Sequence, residues 1–165
     1  LLGAAKTAIT TGIPVVGVNR GTLGFLTDIH PEHFKTNLSE ILSGHYVKEY
    51  RMLIQAELFD ANHQKIHHFI ALNDIVLSPG VIPHLVEFAT HIDNRFVCQQ
   101  RADGLIITTP TGSTAYALSA GGSILDPELD IMALVPMFPH KLSSRPIVVA
   151  GESEIRLDIA TNNDG

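Results

Sequence analysis

Between Asp103 and Tyr116 the chain reads Asp-Gly-Leu-Ile-Ile-Thr-Thr-Pro-Thr-Gly-Ser-Thr-Ala-Tyr. A short apolar strand, 105–108, delivers a loop of five hydroxyl residues and one glycine with no charge, and the loop opens a short helix over 115–120. Small residues let the backbone come close to a ligand. Ser and Thr are expected to cap the helix start, where free N–H groups favour an anion. Tyr116 can stack on a ring while its hydroxyl makes a hydrogen bond, and Asp103 can accept from a ribose or amide group. The chemistry expected is recognition of a nucleotide's ribose and phosphates. The competing reading is a well-capped turn with no ligand. No Lys follows Gly112, so the run is not a Walker A loop, and Ser113 lacks the frame of a nucleophile elbow. A Ser113–His140–Asp103 hydrolase triad can be written down, but only from composition.

A second feature is Asn73-Asp74, set between the apolar stretches 69–72 and 75–77. Two polar residues in an otherwise buried strand are costly unless paired. They read either as a bulge or edge turn, or as side chains that reach a ribose hydroxyl or an adenine edge. The glycine loop Gly17-Val18-Asn19-Arg20-Gly21-Thr22-Leu23-Gly24-Phe25 follows a predicted strand at 15–18, but its spacing is not that of a dinucleotide fingerprint. Arg101 is the candidate phosphate contact. His140 lies in the apolar, Pro-bounded run Pro136-Met137-Phe138-Pro139, a rigid loop expected to hold its imidazole. His84 follows Pro83 and is expected to face the same cavity as Asn73-Asp74. His63, His67 and His68 flank a predicted hairpin without metal-ligand spacing, so no metal site is expected there, and His30, His33 and His45 read as solvated surface residues.

These residues need elements to position them. The order helix, strand 15–18, glycine loop, helix 31–42 is the end of an α/β unit. From about residue 46 the texture changes to short β-prone segments at 52–58, 67–77, 85–92, 95–99, 147–150 and 154–159, separated by turn residues such as Asp60-Ala61-Asn62-His63-Gln64. The expected class is therefore α+β: a remnant of an α/β domain at 1–46, then a mostly β, sandwich-like domain at 47–165.

Composition narrows the function classes. The 165 residues are 45% hydrophobic, enough for a core, and no uninterrupted apolar run nears the length of a membrane helix. With 11 Lys+Arg against 17 Asp+Glu the formal charge is −6, and no basic cluster offers a nucleic-acid surface. Cys98 is the only cysteine and reads as a strand residue. With no basic region ahead of an apolar run at the start, the chain reads as cytoplasmic.

Taken in order, these stretches resemble the NAD kinases, which phosphorylate the 2′-hydroxyl of NAD's adenosine ribose to make NADP; the bacterial type fits best. The likeness runs through Gly17 to Thr27, Leu72-Asn73-Asp74, Asp103-Gly104-Leu105, Thr109 to Tyr116, Ala120-Gly121-Gly122, Val135 to His140 and Ser144-Arg145-Pro146. It implies an N-terminal α/β domain, a C-terminal all-β NAD-binding domain, and ATP and Mg2+ as partners in the transfer. It also implies that Asn73 and Asp74 hold the adenosine ribose or adenine, and that Thr114, Ala115, Tyr116 and Ser119 line the adenine and ribose pocket. Arg101 and Asp103 would meet the nicotinamide half or the pyrophosphate, across a subunit contact of a homodimer or homotetramer. His84 would lie near the dinucleotide, Phe25 on the adenine side, and His140 near the phosphate-transfer region. The family's Gly-Gly-Asp-Gly motif, whose Asp acts as the base, would stand just before Leu1, so no catalytic residue is expected among these 165. Two rival readings remain: a non-catalytic dinucleotide-binding module, and a related lipid kinase acting on diacylglycerol or a sphingoid base.

Overall fold

The computed structural model describes residues 3, 7, 8, 11–19, 29–80, 84–141 and 143–160. They fall into two compact units, Leu1–Tyr50 and Arg51–Gly165.

In the first unit a 3-10 turn, Pro31–His33, runs into the helix α1 (Phe34–Leu42). Pro31 opens the turn, where its missing N–H costs nothing. The helix stops at Gly44, which takes φ 89°. The Gly44 N–H donates to Ile41 O (3.0 Å) and the His45 N–H to Glu40 O (2.9 Å), the paired bonds of a Schellman stop. The strand expected at 15–18 is reduced to a single parallel bridge, Val18 to Ile29. Among the described residues no partner pairs with 15–17, and Val15 and Val16 are exposed; a parallel strand holds only when flanked by neighbours.

The second unit is all but entirely β. Strands β1 (Ile54–Phe59) and β2 (Lys65–Ala71) form an antiparallel hairpin. The Asp60 carboxylate ties its tip by accepting from Asn62 N (2.9 Å) and Gln64 N (2.8 Å), the local bonding for which Asp is favoured in turns. The segment expected as one strand over 67–77 breaks at Leu72-Asn73. β3 (Asp74–Leu77) leaves the hairpin and joins a second sheet of order β3-β6-β7-β8, with β6 (Gly104–Thr108), β7 (Ile131–Met137) and β8 (Ile147–Ala150). A third sheet has the order β5-β4-β9, from β5 (Arg95–Ala102), β4 (Val86–Ile92) and β9 (Ile155–Ile159). β4 and β5 are joined by Asp93-Asn94, both at positive φ (49° and 62°), the conformation of a two-residue hairpin turn whose twist matches the strands.

Alternation along β6 and β7 decides the layers. Leu105 and Leu134 pack with Val86, Phe88 and Ala102 of the three-stranded sheet. Ile106, Ala133, Val135 and Met137 face the other way, against Ala117 and Leu125. Both faces of these central strands are thus covered. Ala117 belongs to α2 (Tyr116–Ser119), which follows a 3-10 turn at Thr111–Thr114. The outer face of the three-stranded sheet is polar: Glu87 accepts from Gln99 Nε2 (2.8 Å), and Asp158 lies 3.3 Å from both His91 and Arg156.

Pro136 belongs to β7, not to a rigid loop as its neighbours suggested. It sits opposite Leu105, and β8 pairs with Ile131–Leu134 only. Past Leu134 the β8 side of β7 needs no donor, which is where a strand tolerates proline.

Candidate functional site

The corner that separates β2 from β3 and the turn that follows β6 are built as one piece. β3 pairs with β6 so that Asp74 lies opposite Thr108. One step beyond, the Thr109 N–H donates to Asn73 O (2.8 Å), and the Thr108 hydroxyl reaches the same carbonyl (3.3 Å). The Thr109 hydroxyl donates to Leu72 O (2.6 Å) and accepts from Gly112 N (3.1 Å). Ser113 Oγ donates to Pro110 O (2.6 Å) and accepts from Leu125 N (3.0 Å), tying the turn to the segment after α2. Gly112 backs directly onto the Asn73 carbonyl, with no room for a Cβ.

The hydroxyl-rich run therefore does something other than its composition suggested. Thr109 and Ser113 are fully buried, and their hydroxyls fasten polypeptide to polypeptide. Neither Thr111–Thr114 nor α2 carries a side-chain N-cap; the N-cap positions are held by Pro110 and Ala115. At four residues α2 is also too short to offer an anion site. The chemistry is left to the side chains around the fastened core. Asn73 Oδ1 is buried and has no hydrogen-bond partner among the described residues. A buried acceptor left unmet costs about 1–3 kcal/mol, so a donor is owed at that point. Asp74 is half-buried, and burial raises its carboxyl above the usual range. Thr114 and Ala115 are half-buried, Ser119 is exposed, and Tyr116 is 52% exposed, leaving its ring open for stacking.

Asp74 carries a testable consequence. Its folded-state carboxyl holds a proton longer than the unfolded one, so its contribution to stability is full at low pH and is lost as pH rises through the folded value. Asp74→Asn is therefore expected to raise the melting temperature at pH 7. The gain should vanish below about pH 4, where an ordinary aspartate is itself protonated. Melting curves of both proteins from pH 3.5 to 8 check this, and a constant offset across that range would refute it.

The remaining predicted residues lie elsewhere. Asp103 immediately precedes β6, at the end opposite Thr108. The separation is roughly 17 Å, five steps along the strand. Arg101 and His140 share that far end, where the His140 N–H donates to Arg101 O (2.9 Å). Arg101 Nε lies 3.9 Å from Glu87 Oε2 across the β4–β5 ladder. His140 is exposed, and its backbone, not its imidazole, is what the loop holds; Phe138 beside it is 81% exposed, so the loop is not an apolar clamp. His84 is half-buried just ahead of β4. Phe25 and most of its glycine loop lie outside the described residues. Sequence reasoning passed over Thr108 and Thr109 as site builders, because their partners are 35 and 37 residues away. A cavity of about 370 Å3 opens beside Thr90, Cys98, Gln100, Leu134 and Lys141, and none of the predicted site residues lines it.

The chain is α+β, and its β unit joins a polar strand corner to a buried hydroxyl turn. The family model for the ATP-NAD kinase C-terminal domain matches residues 72–165, and that for the ATP-NAD kinase N-terminal domain matches residues 1–46. The chain belongs to the NAD kinase family. It is 58% identical to the NAD kinase of Coxiella burnetii over 164 residues, which is 99% of this chain and 54% of that protein. It is 54% identical to the Pseudomonas putida NAD kinase over 160 residues, covering 97% and 54%. Among solved structures, yeast NADH kinase complexed with NADH superposes with TM-score 0.83 at 37% identity, covering 90% of this chain and 43% of that one. The NAD kinase from Archaeoglobus fulgidus in complex with ATP gives 0.74 at 31%, covering 88% and 55%. The chain thus spans about half the length of the relatives it matches.

Proposed function

We propose that the whole protein is an NAD kinase, transferring the γ-phosphoryl group of ATP to the 2′-hydroxyl of NAD's adenosine ribose to give NADP and ADP. The observation that carries the reading is the buried, unpartnered Asn73 Oδ1 beside the 108–114 turn. An adenine amine or a ribose hydroxyl supplies the missing donor. Asp74 accepts from a second ribose hydroxyl, and Tyr116 with Thr114, Ala115 and Ser119 walls the adenosine. His84 lies near the dinucleotide, by family likeness.

In the transfer, the ribose oxygen attacks the γ-phosphorus, its proton passes to a base, and ADP leaves. We assign that base to no residue of this chain. Mg2+, when bound, would supply charge neutralisation to the donor phosphates; the described residues contain no group of three His, Cys, Asp or Glu side chains that could hold it, and no step here runs through it. Catalysis from this chain is positioning of the acceptor. Arg101 and Asp103 sit a strand's length away from Asn73 and meet the nicotinamide half or the pyrophosphate across a subunit contact of a homodimer or homotetramer, and His140 lies near the phosphate-transfer region, by family likeness. No helix among the described residues is long and apolar enough to cross a membrane; a cytoplasmic location remains part of the proposal.

The test is NADP formation by the full-length protein from NAD, ATP and Mg2+. Asn73→Ala is expected to raise the KM for NAD about tenfold while the KM for ATP stays put, the worth of one buried hydrogen bond. Binding of NAD without any NADP would replace the kinase by a non-catalytic dinucleotide-binding module. Unchanged NAD affinity in Asn73→Ala would remove the site from this corner.

A further inference from the structure

We infer that Thr108 and Thr109 are positioning residues that aim the Asn73 side chain at the ligand, although neither offers it a hydroxyl. Thr108 is 1% and Thr109 0% exposed, and both hydroxyls are spent on backbone carbonyls, so neither is offered to a bound molecule. What they hold is the backbone on both sides of the Asn73 nitrogen. The Leu72 carbonyl takes the Thr109 hydroxyl at 2.6 Å; the Asn73 carbonyl takes the Thr109 N–H at 2.8 Å and the Thr108 hydroxyl at 3.3 Å. With both flanking carbonyls engaged, rotation of either peptide would break a buried hydrogen bond. The Asn73 Cα–Cβ bond is thereby fixed in direction.

The Thr109 hydroxyl is a bridge as well as an anchor, since it also accepts the Gly112 N–H at 3.1 Å. One oxygen thus couples the corner to the turn that leads into Thr114, Ala115 and Tyr116. Asn73 Oδ1 is the polar atom of the corner that these bonds leave unmet. The backbone acceptors are satisfied internally and the side-chain acceptor is kept for the ligand. A preorganised acceptor gives more affinity than a mobile one because less freedom is lost on binding. The inference rests on the dinucleotide reading of this corner, and the test below separates the two.

In the full-length enzyme, Thr109→Val keeps the shape and removes the bridge. It is expected to raise the KM for NAD about tenfold, with kcat and the KM for ATP within about twofold, as for loss of one oriented hydrogen bond. Thr109→Ser restores the hydroxyl and the KM. Thr108→Val, which loses the 3.3 Å contact to the Asn73 carbonyl and the 3.1 Å bond to the Thr109 carbonyl that shares the same hydroxyl proton, is expected to raise the same KM about threefold. In an Asn73→Ala background Thr109→Val adds no further rise, because the side chain it aims is gone. A residue with a merely structural role would lower the melting temperature or the active fraction without moving KM. An unchanged KM for NAD in folded Thr109→Val, or an equal rise in the Asn73→Ala background, overturns the inference. Should Thr109→Val not fold, Thr108→Val decides, and an unchanged KM there overturns it. An Asn73→Ala enzyme with unchanged KM overturns the dinucleotide reading and this inference together.

Discussion

Gly112→Ala is expected to destabilise the β unit by about 3 kcal/mol or more, beyond ordinary overpacking, and to abolish measurable NAD binding. The added methyl would land on the Asn73 carbonyl and 2.6 Å from Thr108 Oγ1. A clash with the end of a flexible side chain is relieved by a rotamer change, but this one is with backbone. Either the 72–74 corner or the 109–112 turn must move, and movement breaks the Thr109 N–H to Asn73 bond that joins them. Stability and ligand geometry therefore fall together. Gly80→Ala is the control, since nothing lies within 4 Å of a Cβ there and φ is not positive; it is expected to stay within about 0.5 kcal/mol of the parent, as surface changes do. Urea unfolding and calorimetry with NAD on both variants check the pair. A Gly112→Ala protein with parental stability and affinity would show that corner and turn are not one unit.

Much of this unit was legible from local pattern. The Asp60–Gln64 tip and the Asp93-Asn94 turn are announced by residue types that tolerate or make tight turns, and the β-prone segments beside them are strands. What local pattern could not carry was the break at Leu72-Asn73. Nothing in 67–77 says that β2 and β3 serve different sheets, because the reason lies in Thr108 and Thr109, far along the chain. β7 was hidden by Pro136, which is compatible with a strand only because β8 stops short of it. The site divides in the same way. Asn73, Asp74 and Tyr116 were singled out as candidates by type, as polar or aromatic groups in unexpected company. The division of labour among the hydroxyls was not, because composition counts hydroxyls and cannot say which are buried against a carbonyl. Arg101 is a parallel case: residue type picks out the cation, but only the ladder shows that Glu87 stands opposite it.

That division of labour sets the other large effect. Ser113→Ala is expected to cost about 2–4 kcal/mol, with the KM for NAD of the folded enzyme changed by no more than about twofold. Ser113 and Thr109 are four residues apart, fully buried, and each hydroxyl both donates and accepts. They differ in what they join. Thr109 reaches back to Leu72 and so bears on Asn73. Ser113 joins Pro110 within its own turn to Leu125, one of the residues that cover the outer face of β6 and β7. Removing its oxygen strands a buried carbonyl and a buried N–H, each costing about 1–3 kcal/mol when unmet, and loosens the segment over Ile106 and Val135. None of that turns the Asn73 side chain. The expected pattern is thus a large fall in the urea midpoint with little change in KM for Ser113→Ala, against a clear rise in KM for Thr109→Val. Chemical unfolding and steady-state kinetics on the two full-length variants separate them. Equal KM effects would mean that the whole turn, and not the Thr109 bridge, sets the ligand geometry.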